Sequence, residues 1–167
     1  MLANPRTVPV IIVAVCLAAL GTAFASQYWG GLEPCVLCWY QRYAYGATMA
    51  LGVLALLFAS HAAIRRIFVG LSGVGFLAGA GIAFFHVGVE QRWWEGTAEC
   101  HAPTLDPNAS AEEMVNQLLN QPVAFCDEIP WSLFGLSIAG YNVIASLAFA
   151  AFCFWALRRS VTRKSQA

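Results

Sequence analysis

Chemistry is concentrated in one stretch of this chain, Pro34-Cys35-Val36-Leu37-Cys38-Trp39-Tyr40-Gln41-Arg42, where two thiols are followed by an arginine. A C-x-x-C pair can hold a metal, clamp a structure or exchange electrons as a dithiol. Pro34 suits the first position of a helix, and a helix beginning there puts both cysteines in its opening turn. The positive end of the helix dipole favours thiolate over thiol at that place. Cys38 and Arg42, at i and i+4, would share a face, so a cation would stand beside the second sulfur. Two more cysteines, Cys100 and Cys126, occupy a later polar stretch, and His86 lies just before it.

Composition says what must position these residues. The 167 residues are 59% hydrophobic and 11% charged, against roughly 25% charged in a soluble domain, and mean hydropathy is positive. Net charge is zero, and no nucleic-acid partner is expected. Four apolar runs approach the roughly 20 residues that a membrane helix needs: Val8–Ala25, Tyr43–Ser60, Ile67–Val89 and, inside Trp131–Leu157, about 139–157. The expected fold is an all-α membrane protein, a four-helix transmembrane bundle in a single domain. Two outward loops, about 26–42 and 90–135, join the helices.

Charge sets the orientation. The N-terminal tail, the second connection and the C-terminal tail carry Arg6, Arg65, Arg66, Arg158, Arg159, Arg163 and Lys164 and no acid. The other two connections carry all nine acids with only Arg42 and Arg92. Basic residues thus divide seven to two, and the positive-inside rule places both termini in the cytoplasm. Cys35, Cys38, Cys100 and Cys126 then face an oxidising compartment, where disulfides persist. Arg6 and Ala23-Phe24-Ala25 resemble parts of a signal peptide. The apolar run between them exceeds the roughly 7–15 residues of a signal core, so it is read as a retained span.

Within the third run, Gly70, Gly73, Gly75, Gly79 and Gly81 allow close helix packing. The long loop contains the capping box Ser110-Ala111-Glu112-Glu113. Met114, Val115, Leu118 and Leu119 follow on one side, predicting a short amphipathic helix lying on the membrane. Cys100 and Cys126 flank that helix, and a disulfide between them would close the loop. Cys16 and Cys153 read as small buried apolar residues. His61 reads as solvated. His86, at the outer end of the third run, is either an interfacial polar residue or a hydrogen-bond donor to something bound beside the dithiol.

Three chemistries compete for the four outer cysteines. They could be inert clamps. They could bind zinc by ligand count, but no second close pair exists and Arg42 opposes a cation, so no metal is expected. The third is a thiol–disulfide relay, which needs one disulfide within reach of a protein partner and one near an electron sink. Cys100 and Cys126 suit the first role. Cys35 and Cys38, at the lipid boundary, suit the second, with a hydrophobic carrier such as a quinone as the sink.

The segment Cys35-Val36-Leu37-Cys38-Trp39-Tyr40-Gln41-Arg42 resembles the signature of the DsbB family, the bacterial disulfide bond formation proteins B. The likeness extends to the four helices and the two-plus-two cysteine layout. It also takes in His86-Val87-Gly88-Val89-Glu90, Phe134-Gly135-Leu136-Ser137 and Gly140-Tyr141-Asn142. Just before Cys100 the chain departs from it, with Trp93-Trp94-Glu95-Gly96 where some members have a proline-containing approach. The resemblance implies a protein-disulfide:quinone oxidoreductase of the bacterial inner membrane. A reduced DsbA-like thioredoxin-fold oxidase would attack Cys100, with Cys126 as its pair. Cys35 would accept attack from the loop pair, and Cys38 would pass electrons to ubiquinone or menaquinone. Arg42 would stabilise the Cys38 thiolate and the reduced quinone, and His86 would lie near a quinone oxygen. The DsbA–DsbB–quinone chain comes with the resemblance rather than from the residues. DsbA is a strong oxidant at roughly −120 mV, so its reoxidation calls for a stronger acceptor than a thiol buffer. A vitamin-K-epoxide-reductase-like protein is disfavoured, because there the membrane C-x-x-C follows the loop pair in sequence.

Overall fold

A computed structural model describes residues 4–100, 110, 112, 113, 115 and 124–165. Four long helices dominate it: α1 (Thr7–Tyr28), α2 (Val36–Leu57), α3 (Ala62–Glu90) and α4 (Ile138–Ser165). A single 3-10 turn, Ala98–Cys100, and a hairpin of two short strands, β1 (Ser132–Leu133) and β2 (Leu136–Ser137), complete the described elements. α1, α3 and α4 run beyond the apolar stretches that announce them, because helical hydrogen bonding continues into the polar flanks, while α2 starts seven residues before its stretch and ends at Leu57, short of Ser60. The first connection is therefore only 29–35, not 26–42, and Cys38 and Arg42 ride on α2 rather than in a loop.

α1, α3 and α4 are long and apolar enough to cross a membrane. α2 is less apolar, since its first half holds Gln41, Arg42 and three tyrosines. α1 packs along α2, α2 along α3 and α3 along α4, while α1 scarcely meets α3 or α4. The bundle is thus left with a seam between its first and last helices. Small residues let α3 sit close to its neighbours. Gly75 faces Thr48 and Gly79 faces Ala44, both on α2, while Gly73 faces Cys153 and Phe154 of α4.

Cys16 and Cys153 are fully buried in the apolar core with Ile12, Ala55 and Phe76, as expected of small apolar side chains. His61 precedes α3 and pairs with Ser60 across an exposed 3.2 Å contact. The Ser110 capping box forms: Ser110 Oγ accepts from Glu113 N at 3.3 Å, and the Glu113 carboxylate accepts from Ser110 N at 3.0 Å. Met114, Leu118 and Leu119, and with them most of the expected amphipathic helix, lie outside the described residues. The hairpin was not foreseen. Phe134 and Gly135 both take positive φ, 51° and 79°, the backbone that a tight two-residue turn requires.

The C-terminal end of α3 is built around Gly88. Trp94 folds back over it, donating its Nε1–H to Phe85 O at 3.0 Å and stacking on the Phe85 ring. A side chain at position 88 would run into that indole. Gly88→Ala is expected to unseat Trp94 and cost about 1–3 kcal/mol, the worth of one aromatic pair and one hydrogen bond. Denaturant titration of the purified protein against wild type measures it, and a loss below about 0.5 kcal/mol would count against this seat.

Candidate functional site

The site is assembled at the start of α2. Cys35 is its N-cap, with extended backbone (ψ 173°), and the Cys35 sulfur accepts the Cys38 N–H at 3.4 Å. The helix therefore begins at Val36, one residue past the cap, and Pro34 stands outside it instead of at its first position. The cause is local: the thiol takes over the capping that Ser or Asp usually supplies. Both cysteines still flank the opening turn.

Cys35 Sγ and Cys38 Sγ lie 3.1 Å apart. Cys35 already receives the Cys38 N–H and faces His86 Nε2 at 3.5 Å. The proton the two sulfurs share therefore rests on Cys38, and the charge rests on Cys35. That hydrogen bond from Cys38, helped by His86, holds the Cys35 thiol far below its usual range, to about 4, against the opposing effect of burial.

His86 is 4% exposed, and its ring is clamped from behind. Gln41 Nε2, a pure donor, lies 3.0 Å from His86 Nδ1. Nδ1 must accept, so Nε2 carries the hydrogen and presents it to the Cys35 sulfur. Gln41 is itself oriented by Asn142, whose Nδ2 donates to Gln41 Oε1. Asn142 Oδ1 accepts from Tyr45 OH at 2.8 Å and from Ser146 Oγ at 3.0 Å. A continuous hydrogen-bonded chain thus crosses the bundle interior from α4 through α2 to α3 and ends on sulfur. An imidazole held with its hydrogen on Nε2 is set to stabilise a thiolate. Cys35, Cys38 and His86 bring their ligand atoms within 4.8 Å of one another, and in the tautomer that Gln41 sets the imidazole turns an N–H towards the Cys35 sulfur.

Glu90, one turn beyond His86, is 8% exposed. Its Oε1 lies 3.9 Å from His86 Nε2, and Ser137 Oγ donates to its Oε2 at 2.5 Å. Arg42 stands on the Cys38 side of α2 as expected and acts on that sulfur electrostatically, but its hydrogen bonds go elsewhere. Its guanidinium reaches across to α1, donating to Gln27 Oε1 at 2.6 Å and Ala23 O at 3.0 Å. It stacks between the Phe24 and Trp39 rings, at 4.9 and 4.8 Å. It remains one turn from Cys38 on the side of α2 turned towards α1.

Cys100 and Cys126 form a disulfide, with Cα atoms 5.1 Å apart. Both are buried in one cluster with Cys35, Leu37 and Val89, against which Cys38 and Phe85 pack. Residues 65 positions apart in sequence, Cys35 and Cys100, are thereby neighbours. The two sulfurs of the first pair differ in access, Cys35 being buried and Cys38 not fully so; Cys100 and Cys126, expected within reach of a protein partner, are both buried in this disulfide form. A shallow apolar groove lined by Tyr40, Tyr43, Gly81 and Phe85 lies between α2 and α3. At 3.6 residues per turn it opens on the far side of α2 from Cys38 and Arg42, and it meets the cysteine cluster through Leu37 and Phe85.

All four outer cysteines, Arg42 and His86 are legible as candidates in the sequence. No role is assigned there to Gln41, Glu90, Asn142, Tyr45 or Ser137. For all but Ser137, which lies in β2, the signal is a polar or ionisable side chain within an apolar helix.

A bundle of apolar helices that gathers a dithiol and a disulfide around one imidazole is the architecture of a multi-pass membrane protein for thiol–disulfide chemistry. A family model described as "Disulfide bond formation protein DsbB" matches residues 5–156. The chain is 34% identical over 164 residues to "Disulfide bond formation protein B 2" of Pseudomonas syringae pv. syringae, covering 89% of this chain and 86% of that one. It is 29% identical over 163 residues to "Disulfide bond formation protein B" of Azoarcus sp., covering 92% and 93%. A Marinobacter nauticus protein of the same name is 31% identical over 158 residues, covering 89% and 90%. The chain belongs to the DsbB family, and it is a membrane thiol oxidoreductase of disulfide bond formation.

Proposed function

We propose that this protein reoxidises a DsbA-like periplasmic thioredoxin-fold oxidase and delivers the electrons to a membrane quinone, ubiquinone or menaquinone. It does so as a four-span protein of the bacterial inner membrane with both termini cytoplasmic. The observation that carries the reading is the single buried cluster holding Cys35, Cys100 and Cys126, with Cys38 at its edge. A partner thiolate attacks Cys100 Sγ and expels Cys126. The partner's second thiol then resolves the mixed disulfide, leaving Cys100 and Cys126 reduced. With Cys35 and Cys38 oxidised, a thiolate of the loop pair attacks Cys35 Sγ and expels Cys38. Burial of Cys35 beside the loop pair supports that order, and the donor capacity of His86 supports Cys35 as a charged leaving or attacking atom.

The quinone supplies a two-electron, two-proton acceptor. Residues around Cys38 fit such a group. This sulfur is the less buried of its pair, and Phe24, Trp39 and Arg42 lie on the same side of α2. Aromatic faces and guanidinium N–H groups suit a flat ring that carries carbonyl oxygens. Purified protein mixed with reduced partner and a soluble quinone is expected to consume quinone, followed by absorbance, with one disulfide formed per quinone. Absence of quinone consumption overturns the reading.

A further inference from the structure

The electron count at this site leaves a proton to be found. In the reduced pair one proton lies between Cys35 Sγ and Cys38 Sγ, 3.1 Å apart, and the negative charge falls to Cys35, on whose sulfur the Cys38 N–H and the His86 Nε2–H converge. Forming the Cys35–Cys38 disulfide releases two electrons but only that one proton. A quinone becomes a hydroquinone only with two electrons and two protons.

Among the described residues, Glu90 is the buried acid nearest to this deficit. Its Oε1 faces the same His86 Nε2–H that faces Cys35, at 3.9 Å and 3.5 Å. Because Gln41 holds Nδ1 as an acceptor, the ring has a single N–H for two candidate anions. The groups facing Glu90 are His86 on its own helix, Cys35 at the cap of α2 and Ser137 of β2. Ser137 donates one hydrogen bond and carries no charge. Two anions sharing one neutral donor in a buried site repel, and one of them takes a proton. Oxidation removes the Cys35 charge and with it the reason for Glu90 to hold that proton.

We propose that Glu90 is the second proton carrier of the dithiol, protonated while Cys35 and Cys38 are reduced and ionised once they form a disulfide. The balance then closes. The S–S bond forms, two electrons leave for the quinone, and the Cys38 thiol proton and the Glu90 carboxyl proton become the two hydroxyl protons of the hydroquinone. The site carries one negative charge before and after. Glu90 acts through His86, as a positioning and proton-storing residue. The inference rests on the quinone reading only for the destination of the protons; the redox-linked protonation is a property of this chain alone.

The test uses no quinone. The full-length protein is equilibrated with dithiothreitol redox buffers between about pH 5 and pH 8, and the Cys35–Cys38 state is read by alkylation and peptide mass. Dithiothreitol releases two protons per pair oxidised. With Glu90 as carrier the wild-type equilibrium constant is therefore independent of pH. In Glu90→Gln, which keeps the acceptor for Ser137, reduction takes up one proton, and the constant favouring reduced protein rises about tenfold per pH unit, about 30 mV. Thiolate absorbance of reduced wild type reports the Cys35 charge in parallel. A wild-type constant that already changes tenfold per pH unit overturns the proposal, and so does a Glu90→Gln constant that stays flat. If Glu90→Gln does not fold, the wild-type pair of measurements decides: a flat constant with a thiolate present at neutral pH requires a second carrier, and a sloping one excludes it. Failure of quinone consumption with this result intact would sink the quinone reading and leave Glu90 standing.

Discussion

Cys38→Ser is expected to cut quinone consumption about a thousandfold or more, while leaving the Cys100–Cys126 disulfide and the fold in place. A lone Cys35 has no partner sulfur with which to surrender two electrons. Cys38→Ala has the same effect on turnover, but the two variants differ in the titration of Cys35. Serine keeps a hydroxyl donor where the Cys38 thiol stands, 3.1 Å from Cys35 Sγ; alanine removes it. The Cys35 thiol, held down to about 4 chiefly by that donor, stays low in Cys38→Ser. In Cys38→Ala it rises by about 1–2 units, since a hydrogen bond to a charged group is worth about 1.5–3 kcal/mol. Thiolate absorbance against pH measures both, and equal titrations would show that Cys38 is not the donor. The sign for stability follows from the depressed value. The thiolate's contribution to the reduced state is complete above the ordinary thiol value of 9.0, declines as pH falls, and is lost once pH passes through about 4. Reduced protein is therefore expected to lose stability on acidification over that window, and the Cys35–Cys38 disulfide form is not.

Asn142→Leu is expected to destabilise the protein by about 2–5 kcal/mol. The substitution strands the Gln41 carbonyl, which has Asn142 as its donor, and takes away the acceptor of the Tyr45 and Ser146 hydroxyls, which keep only their 3.1 Å contact with each other. Gln41 is 7% exposed and Ser146 1%, and each buried polar group left without its partner costs about 1–3 kcal/mol. Adding Gln41→Leu recovers part of the loss, because the amide that lacked a partner is gone. The double variant still removes the donor to His86 Nδ1, so the imidazole is no longer held with its hydrogen on Nε2. Stability and thiolate character then separate: the double variant is more stable than Asn142→Leu, yet its Cys35 titrates higher than in wild type. Denaturant unfolding and thiolate absorbance on the three proteins check this. A double variant with wild-type Cys35 titration would remove the Gln41–His86 contact from the mechanism.

Much was determined by the sequence on its own. The apolar runs announce the helices, since period and composition are local properties. Capping chemistry and the C-x-x-C spacing locate the dithiol at a helix start within one residue, because i to i+4 geometry is the same in every helix. The small residues of α3 announce close packing. What no spacing encodes is which side chain meets which across the bundle. Gln41 and His86 are separated by 45 positions and Gln41 and Asn142 by 101. Only tertiary packing brought them into line, sent the Arg42 hydrogen bonds to α1, and set Glu90 and Cys35 against one N–H. Helix geometry follows from near neighbours along the chain; the tautomer of His86, and therefore the place of the charge, follows from contacts that exist only once all the helices have packed.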